Sequence, residues 1–144
     1  MIVNVFSGCG SRRRTGICLL LFWMLPAFVF SQDITLRSGF LSDSLKIGDQ
    51  TAFYLSARYP SELTVLFPDS THNFTPFEYQ NKEYFLTETT DGISTDSTVY
   101  YLTTFEVDRV QFLKLPVYLV GQGDSTVVQS KADSVLITQF VEQV

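Results

Sequence analysis

His72 is the only histidine in a chain of 144 residues. A Ser-His-Asp relay presents its serine on a strained strand-to-helix elbow, written Gly-x-Ser-x-Gly, and the sequence has no such elbow. His72 therefore reads as a loop residue. Zinc needs several His or Cys ligands, yet both cysteines, Cys9 and Cys18, lie ahead of Ser31 in a segment expected to be removed. Calcium asks only for carboxylates and carbonyls. The turn-rich surroundings of Asp43, Asp49, Asp69, Asp91, Asp96 and Asp124 put those residues in loops, but Asp-Gly-Ile-Ser-Thr-Asp at 91–96 lacks the alternating order of a dedicated calcium loop. Asp-Ser-Thr recurs at Asp69, Asp96 and Asp124 with no repeat in the flanking residues. That recurrence fits turns in which Asp and Ser satisfy nearby backbone groups. Glu78, Glu83, Glu88 and Glu106 are read as solvated, since acid–base work on a glycoside needs two carboxylates at a set separation in space. These residues give no catalytic centre, no metal site and no cofactor.

Recognition chemistry is richer. Tyr54, Tyr79, Tyr84, Tyr100 and Tyr118 can present flat rings with polar tips, the basis of a carbohydrate-binding platform. The single tryptophan, Trp23, lies before Ser31, which weakens that alternative. Phe112, Pro116 and Tyr118 form the candidate partner-binding set. Pro116 cannot donate a ladder hydrogen bond, so its strand is expected at a sheet edge or kinked. Phe112 and Tyr118 then point away from the leucines of the same run.

The elements that position these residues follow an export signal. Arg12, Arg13 and Arg14 precede the apolar run from Ile17 to Phe30, which is too short to span a bilayer as a helix of about 20 residues. Val29 and Ser31 suit the −3 and −1 positions of a cleavage site. The expected organisation is a cleavable signal peptide at 1–31 and one domain at 32–144, periplasmic or secreted. Membrane contact is expected only through the signal or through a C-terminal segment not included in the chain. All 15 acidic residues follow Ser31, against 7 of the 10 Lys and Arg, so the exported part carries a net charge of −8. That balance argues against nucleic acid, which requires clustered cations.

From Gln32 onward the chain is rich in Thr, Tyr, Phe and Val and alternates with period two, the pattern of half-buried strands. In QTAFYLSARY, Phe53, Leu55, Ala57 and Tyr59 share one face. In STVYYLTTFEV, Val99, Tyr101, Phe105 and Val107 are expected to line the core, and in VQFLKLPVYLV so are Leu113, Leu115, Val117 and Leu119. Weaker strands are ITLRSGF, SLKI, LTVLF, KEYFLTE, STVVQ and SVLITQFV. Turns at Gly48-Asp49, Pro60-Ser61, Pro68-Asp69, Asp91-Gly92 and 121–124 separate them. Seven to nine short strands describe an all-β, immunoglobulin-like β-sandwich, with an up-and-down barrel as the alternative.

The order SLKIGDQTAFYLSARYP, LFPD, STVYYLTTFEVDRVQFLKLPVYLV and DSVLITQ resembles the extracytoplasmic immunoglobulin-like domains of BatD-like aerotolerance proteins, particularly those of Bacteroidota. The resemblance covers most of the chain after Ser31 and rests on Ile47-Gly48-Asp49 leading into a strand, on Pro68, and on the segment starting at Pro116. It implies a non-catalytic domain that binds protein partners at the bacterial cell envelope. None of its motifs is catalytic.

Overall fold

The structure, a computed structural model, describes residues 33–138. The expected signal segment and the end of the run SVLITQFV lie outside the described residues. Among those described, all regular structure is β: β1 (Thr35–Phe40), β2 (Ser44–Lys46), β3 (Gln50–Pro60), β4 (Thr64–Leu66), β5 (Glu78–Tyr84), β6 (Glu88–Thr90), β7 (Ile93–Thr103), β8 (Val110–Leu113), β9 (Pro116–Gly121), β10 (Asp124–Gln129) and β11 (Asp133–Thr138). One layer is a sheet ordered β1-β3-β7-β5, with β6 also paired to β7. The other comprises two three-stranded sheets, β10-β9-β4 and β2-β11-β8. This is an immunoglobulin-like β-sandwich with more strands than the seven to nine expected. Two runs account for the excess. KEYFLTE does not form one strand, because pairing with β7 starts at Glu78, stops at Tyr84 and resumes at Glu88. VQFLKLPVYLV is cut at Lys114 and Leu115, where the chain leaves one three-stranded sheet for the other.

Alternation explains how the layers close. β3 and β7 pair in unbroken antiparallel register from Gln50↔Thr103 to Pro60↔Ile93, which sends Phe53, Leu55, Ala57 and Tyr59 inward. Leu113, Leu115, Val117 and Leu119 meet them from the opposite layer, with Leu45, Val65, Val135 and Ile137 completing one core. Each such side chain contributes about 1.5 to 3 kcal/mol relative to exposure.

The expected face of β7 is corrected. Tyr100 and Leu102, not Val99 and Tyr101, are the fully buried pair. Both faces of this strand carry a tyrosine and an aliphatic residue, so apolar pattern alone does not choose between them. Ser94, Asp96 and Thr98 share the buried face, and partners accept them there: Thr98 Oγ1 donates to the Glu83 carbonyl at 2.8 Å and Tyr100 Oη to the Pro68 carbonyl at 2.6 Å. Phe105 and Val107 lie beyond the end of β7 in an exposed loop. Buried Gln111 pins that loop, accepting from Thr104 Oγ1 at 2.7 Å and donating through Nε2 to the Glu106 and Asp108 carbonyls.

Two turns need special backbone. Asp91 and Gly92 have φ of 51° and 74° and join Thr90 to Ile93 as a two-residue hairpin whose twist matches its strands. Gly48, at φ 83°, turns the chain into β3.

Candidate functional site

The strand switch at Lys114 and Leu115 decides where the candidate partner-binding residues lie. Phe112 points outward from β8, 61% exposed, beside Ser134 of β11. Tyr118 points outward from β9, 39% exposed, on the other three-stranded sheet. Pro116 is buried. The expected edge position is corrected, since β9 is the middle strand of its sheet; the run breaks at Lys114 and Leu115, just before Pro116. The fold tolerates the missing N–H for a local reason. Leu115 turns both its main-chain groups toward the β10 side, its carbonyl accepting from Ser130 N at 2.8 Å and its N–H donating to Ser130 Oγ at 2.9 Å. Pro116 therefore faces the β4 side, past the last paired residue, Leu66, where no strand needs a donor.

Tyr118 is the centre of a row. The register places Leu66 of β4 on one side and Val127 of β10 on the other, at 53% and 51% exposure. Val120, also exposed, lies one outward position farther along β9 between Thr64 and Ser125. Three apolar side chains thus cross all three strands on a solvent-facing surface. The row ends at β10, an edge strand with almost every residue exposed. Ladder alternation turns the main-chain groups of Ser125, Val127 and Gln129 away from β9. The Asp124 carboxylate takes up the Ser125 N–H at 2.9 Å. The groups of Val127 and Gln129 face outward beside the apolar row, an edge that accepts another strand. Leu66 and Val127 escaped the sequence reading because alternation sends them outward but gives no cross-strand neighbours.

The tyrosines do not share a platform. Tyr100 is wholly buried, Tyr79 packs on Phe74 with ring centroids 5.5 Å apart, and Tyr84 packs on Phe67. Tyr54 lies on the outer face of the five-stranded sheet, and Tyr118 on a different sheet.

The acidic residues also divide. Asp96 is corrected from a loop to mid-strand: it is buried in β7, where its carboxylate accepts from Tyr59 Oη at 2.7 Å and from Thr87 Oγ1. Burial first, then this contact, pushes the Tyr59 phenol well above its ordinary range. Asp69 closes a local turn by accepting from the Thr71 hydroxyl and backbone N–H, which hold its carboxyl below the usual carboxylate range. Lys82 donates to the Pro68 carbonyl at 3.1 Å and lies over the Tyr100 ring, and burial lowers its ammonium pKa. His72 stands edge-on to Phe74, with centroids 5.1 Å apart. Among the described residues, no three His, Cys, Asp or Glu side chains gather where they can hold a metal ion.

Compared with protein-family models, with curated proteins and with solved structures, the chain matches none.

Proposed function

We propose that this chain is a non-catalytic recognition domain, exported to the periplasm or beyond, that docks a protein partner at the bacterial cell envelope as BatD-like domains do. The observation that carries the reading is the Leu66–Tyr118–Val127 row beside the open edge of β10. A partner strand added along β10 gains main-chain hydrogen bonds at Val127 and Gln129, while its side chains cover the row; this is recognition by strand addition. Apolar side chains lined up across a whole sheet favour a protein surface over a soluble metabolite. The export reading is supported by Arg12–Arg14 followed by the apolar run to Phe30.

The test is a pull-down from envelope extract with the double variant Leu66→Ser and Val127→Ser, and separately with Val127→Pro, which removes one outward donor. Both positions are exposed, so melting temperature should be nearly unchanged while the captured protein is lost. Capture equal to that of the unmodified domain, or bound species consisting only of polysaccharide, overturns the reading.

A further inference from the structure

The chain after Ser31 is strongly acidic, yet two of its seven cations converge on one sheet face. On the outer surface of the five-stranded sheet, Arg37 of β1 is paired with Ser56 of β3, and Arg58 of β3 with Thr35 of β1. Arg37 and Arg58 are therefore diagonal neighbours, within reach of one ligand group for side chains of this length. Across β3, Arg58 faces Thr95 and Ser56 faces Ser97 on β7. Thr35, Arg37, Ser56, Arg58 and Thr95 line an open groove of about 400 Å³.

Neither guanidinium makes an ion pair or a hydrogen bond among the described residues. Carboxylates border this surface, Asp33 lying two residues before Thr35, the partner of Arg58. Glu83 accepts from Tyr101 Oη at 3.1 Å, and Asp133 accepts from Phe40 N at 2.8 Å. Glu88, opposite Thr95, lies two strands from Arg58, a backbone separation of about 9 to 10 Å, and forms no ion pair with it. The Ser97 hydroxyl donates to Ser56 Oγ at 3.1 Å, so the floor of the groove is ordered. Beside it, Tyr54 leans over the edge strand at Gly39. A methyl group built on Gly39 would sit 3.0 Å from Asp133 Oδ2 and 3.3 Å from Tyr54 Cε1, so the missing side chain makes room for both the carboxylate and the ring.

We propose that this groove binds an acidic glycan chain, with Arg37 and Arg58 gripping a carboxylate or sulfate and Tyr54 stacking against an adjoining sugar ring. Guanidinium forks match planar oxyanions with two parallel hydrogen bonds, and an unpaired fork needs no rearrangement to accept one. Hydroxyls of Thr35, Ser56 and Thr95 meet the hydroxyl groups of a sugar, where a phosphate or carboxylate alone would leave most of the groove unused. The site is separate from the Tyr118 surface and does not depend on it.

The test is calorimetric titration of the domain with oligogalacturonate, heparin oligosaccharide and neutral dextran, together with sedimentation on phosphatidylglycerol vesicles. The unmodified domain should bind an acidic oligosaccharide and not dextran. Arg37→Gln with Arg58→Gln should weaken that binding by at least about tenfold at unchanged melting temperature. A charge-matched control, Lys114→Gln with Lys131→Gln, should weaken it less than about twofold. Arg58→Lys keeps the charge and should still lose affinity, because the fork is gone. Equal weakening in the arginine variant and the control reduces the effect to net charge and overturns the proposal. So does binding to vesicles without binding to oligosaccharide, or no binding at all.

Discussion

Tyr59 donates from its hydroxyl to Oδ2 of Asp96 across 2.7 Å, inside the sandwich and between neighbouring strands. Tyr59 is opposite Ser94 and Asp96 opposite Ala57, so the bond runs diagonally across the β3–β7 ladder on its buried face. A carboxylate in that setting is tolerated only because hydroxyls surround it, Thr87 supplying another. Tyr59→Phe removes one donor and leaves the acceptor in place. It should destabilise the domain by about 1 to 3 kcal/mol in urea unfolding, the cost of stranding a buried polar atom. A change below about 0.5 kcal/mol would mean that water replaces the phenol.

Why some of this was legible in the sequence and some was not turns on a few residues. Phe53, Leu55, Ala57 and Tyr59 alternate with Tyr54, Ser56 and Arg58, an unequal contest that names the buried face by itself. Gly48 and the Asp91-Gly92 pair announce their turns, because the positive φ they adopt favours those residue types. On β7 the contest is nearly equal, and the face that is buried carries Asp96, whose burial cost is offset by Tyr59 and Thr87, partners 37 and 9 residues away. Pro116 announces a break in the strand but not its form. The chain changes sheets there and keeps β9 central, with the missing donor aimed past the end of β4. The Leu66–Tyr118–Val127 row and the Arg37–Arg58 diagonal are products of register between strands, and no single segment contains either.

The reversed face of β7 makes a direct comparison between close neighbours. Leu102→Ala should cost about 2 to 5 kcal/mol, because a fully buried leucine leaves a cavity that the two layers close only in part. Val99→Ala, on the outer face, should stay within about 1 kcal/mol. Leu115→Ala is the matching probe in the opposite layer, also fully buried, and should fall in the same range as Leu102→Ala. Chemical denaturation of the three variants checks the assignment. A larger loss for Val99→Ala than for Leu102→Ala would restore the opposite orientation.

Alkaline stability is the last prediction. Tyr59, Tyr84 and Tyr100 all have phenols raised above the ordinary value of 10.0, each chiefly by burial; the Asp96 carboxylate adds to the shift of Tyr59 and Tyr84. In the unfolded chain these groups lose their protons near that ordinary value, while the folded protein holds them to higher pH. The folded state then binds more protons than the unfolded one, so stability falls as pH rises. Their contribution is complete below about pH 10 and is lost progressively above it. Lys82 opposes the trend: its lowered pKa makes the unfolded chain the better proton binder below 10.5, which adds stability with rising pH in that interval. With two buried phenols, Tyr59 and Tyr100, and the half-exposed Tyr84 against one ammonium, the net expectation is no decline to about pH 10 and a fall beyond. Urea midpoints measured across this range, alongside an ultraviolet titration of the phenolates, provide the check. Tyr100→Phe should lower stability at neutral pH, because Tyr100 Oη no longer donates to the Pro68 carbonyl, and should make the alkaline decline shallower. An equally steep decline in that variant would show that Tyr100 ionises as readily in the folded protein as in the unfolded chain.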